Sequence, residues 1–358
     1  MRSHLDAQLL LAVVRGDWDL TASLAPQVPA QRFVDRCLAC DVHPWVDAAL
    51  RARPDAAGLA PAALAGLGTL RAKVRADNML LAARAEQALD LLLATGVRPI
   101  ALKGVDFLHR FYRFDERTSD DVDLLVRRQD LAAALRALEA AGWEAPAEPR
   151  RTHYIRSSHH LPLVAPGPVP VNFELHWNLA QAGRYGVDVD GLFRRARPLA
   201  ISGRDVLRLD DVDAATHLLL HHFSHYFDPR LKWLVDFGHL AAAEGFDWAG
   251  VVARCREWRI ATAAGISLVH LRKLHPRLFP AGLLRQLPVA RWRRLLSAPL
   301  LSNHPLELYR GSGKRRVQLY LAAVMLERPA ELPGWLLHRR RRDVSTGDNP
   351  LDARHDES

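Results

Sequence analysis

The sequence predicts an α+β fold that is mainly α: a small mixed-sheet α/β core flanked by N- and C-terminal helical regions. Three observations carry this. Apolar residues recur at three- and four-residue spacing through LDAQLLLAVV, RFVDRCLACDVHPWVDAAL and MLLAARAEQALDLLLATG, so residues 1–95 read as helical. Between residues 97 and 180 the pattern changes to short apolar runs bounded by Gly and Pro. From about Asp210 the helical spacing returns.

Taken in order, RARPDAAGLAPAALAGLG is rich in Ala, Gly and Pro and reads as a loop between helices. Gly96 closes the helix that follows, as a C-terminal cap. Val97 to Leu102 reads as a buried strand ending at Lys103-Gly104, and VDFLHRFY as a helix. Val122 to Val126 is a second strand, and LAAALRALEAAG a helix stopped by Gly142. HYIRSSHHLPLVA and VPVNFELHW read as two further strands joined by a Pro/Gly turn. Then come helices over DVDAATHLLLHHFSHYF, RLKWLVDFGHLAAAEG and the long run DWAGVVARCREWRIATAAGISLVHLRKL, with RWRRLLSAPLL and RRVQLYLAAVML beyond Pro280. The expected domains are a helical region at 1–95, a core at 96–205, a helical domain at 206–338 and a polar, disordered tail at 339–358.

Composition sets limits on function. At roughly 150 residues per domain, 358 residues make about two domains. With 49% hydrophobic and 25% charged residues, the chain is neither disordered nor fibrous. No apolar run approaches the ~18–20 residues needed to span a bilayer. MRSHLDAQLLLAVVRGDW reads as an amphipathic helix rather than a signal peptide, so a cytoplasmic location and no membrane partner are expected. Three cysteines, Cys37, Cys40 and Cys255, cannot build a disulfide framework. The formal charge is +9, and the tail from Arg339, with five Arg against five Asp and Glu, contributes none of it. A basic body calls for an anionic ligand: a nucleotide, a nucleic acid or a phosphorylated substrate.

The chemistry concentrates in LKG, then RTSDDVDLLV, then FELHW. Asp121 and Asp123 stand two apart on a strand and so share a face. Two carboxylates at the head of an apolar strand repel unless a cation lies between them, and oxygen ligands suit magnesium. The plainer alternative is a solvated strand end, with Asp120 part of an acidic loop. Lys103-Gly104 ends a strand and opens a helix, where backbone amides can hold phosphate. Arg117, four residues before Asp121, is within reach of an anion held there. Glu174 sits in another apolar strand, where a charge is costly unless paired or metal-bound, and it shares its face with His176.

A Gly ending a strand, then a helix, then Asp-h-Asp-h (h apolar), then a third acidic residue on a later strand resembles the DNA polymerase β-type nucleotidyltransferase superfamily. More narrowly, LKG, the Arg, DDVDLLV and FELHW are similar to the bacterial family of uncharacterised nucleotidyltransferases. The resemblance covers residues of about 30 to 270, with the motifs in 102–177. It implies a nucleotidyltransferase-type core in which Asp121 and Asp123 match the metal-binding pair, Glu174 the third carboxylate and Gly104 the glycine of the phosphate turn. The superfamily often has Ser after that glycine; here Val105 stands there, and Lys103 is expected to supply part of the missing phosphate contact.

The implied reaction is two-metal phosphoryl transfer, with two Mg2+ ions, or Mn2+, held by Asp121, Asp123 and Glu174. A nucleoside monophosphate would pass from an NTP to an acceptor that the motifs do not encode: a modified peptide, a sugar phosphate, a protein or tRNA. Two rivals stand beside this reading, a toxin-like tRNA nucleotidyltransferase and a non-catalytic nucleotide-sensing protein on the same fold. Nucleic acid is compatible with the charge, but sparse aromatics give no single-strand platform.

Weaker features have two readings each. His217, His221 and His225 form a helical stripe that can bind metal or phosphate, or simply line the cleft. Lys232 reaches nucleotide phosphate or is an ordinary helix lysine, and Asp236 pairs with it or with an Arg. His160, His176 and His221 are placed in the acceptor cleft, while His159 reads as an ordinary strand residue. Cys37, Cys40 and His43 have ligand-like spacing but lack a second pair.

Overall fold

The structure is a computed structural model that describes residues 5–53, 61–180, 184–225, 230–287, 289–293, 295 and 306. Four helices open the chain: α1 (Leu5–Arg15), α2 (Trp18–Leu24), α3 (Ala30–Ala39) and α4 (His43–Arg51). The long α5 (Pro61–Ala94) follows, then β1 (Ile100–Ala101), α6 (Lys103–Arg110), β2 (Asp121–Leu125), α7 (Leu131–Ala140) and α8 (Arg150–Ser157). The strands β3 (His160–Val164) and β4 (Asn172–His176) lead through α9 (Val189–Arg195) to β5 (Arg197–Ile201) and β6 (Arg204–Arg208). The C-terminal helices are α10 (Asp211–Ser224), α11 (Lys232–Ala241), α12 (Trp248–Glu257), α13 (Ala261–Leu274) and the short α14 (Leu283–Gln286).

The six strands form one mixed sheet in the order β3-β4-β2-β1-β6-β5. β2 runs parallel to β4, and β1 parallel to β6; the other pairs are antiparallel. Strand alternation sorts side chains to two cores. Val122, Leu124, Phe173 and Leu175 pack with α7 and the C-terminal half of α5. Ile100 and Leu125 join the other core, built by α1–α4 and α10–α13. Asp121 and Asp123 alternate with Val122 and Leu124, so they face the helical side.

Several elements differ from the sequence reading. Residues 61–68, expected as a loop, are the first turns of α5. Their glycines permit close packing: a Cβ on Gly68 would lie 2.8 Å from the Arg51 guanidinium. Residues 153–157, expected as strand, lie in helix α8, which buries no residue; apolar alternation starts only at Leu161. The expected single run after Trp248 is two helices, broken at Arg259 (φ +57) so that Trp258 and Ile260 both turn inward. The β5–β6 hairpin was not anticipated, although Ser202-Gly203 (φ +47 and +81) is a two-residue turn of primed type. Gly96 does cap α5, at φ +80. The RRVQLYLAAVML segment and the tail at 339–358 lie outside the described residues.

Candidate active site

β1 ends at the mouth of a cavity of about 370 Å3 between the sheet and the helical side. The next two residues, Lys103 and Gly104, open α6 against it. Lys103 takes a φ of +26, in the left-handed region that side chains disfavour. Its ammonium reaches Asp123 Oδ2 at 3.0 Å. Gly104 is needed for close approach, because a Cβ there would meet Ser119 Oγ at 3.2 Å.

The register of β2 against β4 sets the carboxylates. Asp123 pairs with Glu174, and Leu125 with His176. The His176 ring fits between the acids, with Nε2 3.1 Å from Asp123 Oδ1 and 3.0 Å from Glu174 Oε2. One ligand atom each from Asp123, Glu174 and His176 converge within 4.8 Å of one another. Glu174 opens to the cavity rather than into the core. Asp121 lines the same cavity but stands outside that tight group.

The electrostatics follow from burial and neighbours. Burial alone would raise Asp123, but Lys103 and His176 hold it well below the usual carboxylate range. Asp121 is pushed up to about 7 by burial, then by the charge of Asp123. Burial would lower both His176 and Lys103; Asp123 and Glu174 instead lift His176 to about 9, and Asp123 with Asp121 holds Lys103 above its usual value. Burial lowers His160 to about 4.

The residues expected at the catalytic, nucleotide-binding and acceptor positions (Asp121, Asp123 and Glu174; Lys103, Gly104, Arg117 and Lys232; His160, His176 and His221) all line this cavity. Two have commitments that the sequence did not reveal. Arg117 is buried and its guanidinium grips Asp236, Nε to Oδ1 at 2.8 Å and Nη2 to Oδ2 at 2.9 Å. Its Nη1 donates to the Thr118 carbonyl and to Ser119 Oγ, both at 3.0 Å. Arg117 therefore lines the cavity while committed to a buried pair that ties α11 to the loop before β2. Lys232 is likewise engaged, with Asp41 at 2.6 Å and Asp120 at 3.1 Å. Asp236 takes the arginine, not the lysine.

His160 Nε2 lies 3.7 Å from Glu174 Oε1, and His221 packs edge-on to Trp233 at 4.9 Å. His217 and His225 complete that wall. Cys37, Cys40 and Cys255 are buried thiols, and burial pushes Cys37 up. Among the described residues, no group of convergent metal-binding side chains includes Cys37, Cys40 or His43. Sequence reasoning missed Ser119, Asp41, Tyr112 and Trp233. Ser119 carried one signal, a hydroxyl in the loop next to an Asp-x-Asp strand.

A mixed sheet with helices on both faces, carrying paired acids beside a strand–Lys-Gly–helix turn, defines an α+β protein of the nucleotidyltransferase type. The chain belongs to the family described as uncharacterised nucleotidyltransferase, whose profile matches residues 2–276. It is therefore a transferase by family. No curated protein matches the chain. Among solved structures it is similar to an antigenic nucleotidyltransferase-like protein from Paracoccidioides brasiliensis, with 12% identity, a TM-score of 0.33, and 60% of this chain and 94% of that one covered. It is also similar to MenT4, a nucleotidyltransferase toxin from Mycobacterium tuberculosis, with 14% identity, a TM-score of 0.32, and 70% and 92% coverage. Among the described residues, no helix is long and apolar enough to cross a membrane.

Proposed function

We propose that the chain is a Mg2+-dependent nucleotidyltransferase that moves a nucleoside monophosphate from an NTP to a separate acceptor. The observation that carries this is the meeting of Asp121, Asp123 and Glu174 with Lys103 on one cavity. The donor set fits a hard cation, since all three are carboxylates and Asp121 is raised by burial and then by its neighbour's charge. Bound there, Mg2+ or Mn2+ would lower the pKa of an acceptor hydroxyl and offset phosphate charge.

The chain's own groups do the rest. The N-terminus of α6 offers backbone amides to the phosphates, and Gly104 keeps that surface open. Lys103, now on Asp123, is placed to meet charge on the departing pyrophosphate. Ser119 supplies the hydroxyl beside Gly104 that Val105, packed in the core, cannot. His176 fixes Glu174 and Asp123 in one geometry. The Arg117–Asp236 and Lys232–Asp120 pairs brace the loop that leads into β2 at Asp121. Residues 96–205 then form the catalytic core, flanked by the helical region 1–95, and the helical region 206–338 supplies the wall with His221, where a modified peptide, sugar phosphate, protein or tRNA acceptor would lie.

The test is transfer of label from each α-labelled NTP with Mg2+, alone and with cell extract, beside Asp121→Ala/Asp123→Ala. Labelled product with the wild type and none with the variant is expected. Neither transfer nor nucleotide binding in any condition would overturn the reading. RNase and protease treatment of the product separates RNA from protein acceptors.

A further inference from the structure

Three histidines meet beside Glu174. His160 begins β3 and lies directly opposite His176 in the antiparallel register. The chain bends at His159, whose carbonyl accepts from Trp177 N at 2.9 Å, so the ladder continues while its ring joins the same side. Ring centroids stand 4.7 Å apart for His159–His160, 5.0 Å for His160–His176 and 5.6 Å for His159–His176. One ring nitrogen from each lies within 4.8 Å of the other two. His176 Nδ1 and His160 Nδ1 are buried with no hydrogen-bond partner. Orphaned buried polar atoms are rare and call for a ligand or another explanation.

We propose that His159, His160 and His176 form a three-imidazole transition-metal site for Zn2+, with the fourth position open to water. Three imidazoles are a zinc-type donor set, and one unsuited to Mg2+. Tetrahedral ligands at Zn–N of about 2.0–2.1 Å stand about 3.4 Å apart, so no separation among the three ring nitrogens has to contract by more than about 1.4 Å. Glu174 stands against two of these rings, with Oε1 3.7 Å from His160 Nε2 and Oε2 3.0 Å from His176 Nε2, where a carboxylate orients ligating imidazoles. Zinc bound here adds positive charge beside the carboxylates assigned to Mg2+. The site rests on imidazole geometry, and its test reads metal binding, not transfer.

Full-length protein, stripped with chelator, is titrated with Zn2+ against a chromophoric competitor and with Co2+ alone. One tight Zn2+ and the visible d–d bands of four-coordinate cobalt are expected, both persisting in excess Mg2+. His159→Asn should weaken Zn2+ by at least about tenfold and remove the cobalt bands. His159→Cys, which keeps a zinc ligand, should retain binding, which separates ligation from folding. His225→Asn, in the other histidine wall, should leave affinity unchanged. Wild-type affinity in His159→Asn, displacement of Zn2+ by Mg2+, or loss of zinc in both His159→Asn and His159→Cys overturns the proposal.

Discussion

Asp236→Ala tests whether Arg117 braces the fold or serves an anion. The Arg117 side chain is 5% exposed and that of Asp236 0%. Removing the carboxylate strands a buried guanidinium, at a cost of about 3–5 kcal/mol. The Tyr112 hydroxyl, which donates to Asp236 Oδ1 at 2.8 Å, loses its acceptor, costing about 1 kcal/mol more. That sum is comparable with the lower end of the roughly 5–15 kcal/mol that holds a typical protein folded. Arg117→Met/Asp236→Ala removes both charges and should recover all but about 2 kcal/mol. Urea unfolding followed by tryptophan fluorescence measures both, and nucleotide binding to the double variant should persist. A loss under about 1 kcal/mol for Asp236→Ala, or a stable double variant that no longer binds nucleotide, would refute the reasoning.

Other consequences are testable on the same scale. Burial, then the nearby rings of His270 and His225, holds His222 well below its usual value. It stays neutral in the fold, so its contribution is full above about pH 6.5 and is lost as pH falls, by up to about 1.4 kcal/mol per unit. His222→Gln should flatten the fall in urea midpoint between pH 7 and 5; an equal slope in the variant would contradict this. Asp106 has the opposite sign: burial lifts it to about 7 against Arg110 and Arg208, so its folded form prefers the proton. Its penalty is absent below about pH 4 and grows as pH rises to 7, so Asp106→Asn should raise the urea midpoint at pH 8 more than at pH 5. Gly104→Ala brings a methyl to 3.2 Å from Ser119 Oγ, so nucleotide Kd should rise several-fold with stability changed by less than about 1 kcal/mol.

The site was more legible in the sequence than its supports. Asp121, Asp123 and Glu174 stood out because a carboxylate in an apolar strand breaks the local pattern, and alternation alone fixes which residues share a face. Lys103 stood out by its place, with Gly104, where a strand ends and a helix opens. Arg117 could not be read: its partner Asp236 lies 119 residues away, and only packing of α11 on the loop brings them together. The same holds for Lys232, whose partners Asp41 and Asp120 both lie more than a hundred residues before it. His159, read as a strand residue, stands at a bend just before β3 and lines the cavity, because the bend cancels the alternation that sends strand neighbours to opposite faces. The glycines of α5 misled for a related reason: composition marks a turn, but helices also use glycine where a neighbouring side chain, here Arg51 or Val34, comes close.

The parallel pairing of β2 with β4 has an evolutionary corollary. Asp123 and Glu174 are neighbours across one strand spacing of about 4.8 Å, so their separation is quantised by the hydrogen-bond lattice of the sheet. Everything between them in sequence, α7, α8 and β3, leaves and returns without touching that distance. Insertions and deletions in the turns between those elements therefore leave that spacing alone. The edge strand β3 is different: it sets His160 against Glu174, so rebuilding the outer edge of this sheet changes what stands beside that acid without moving it from Asp123.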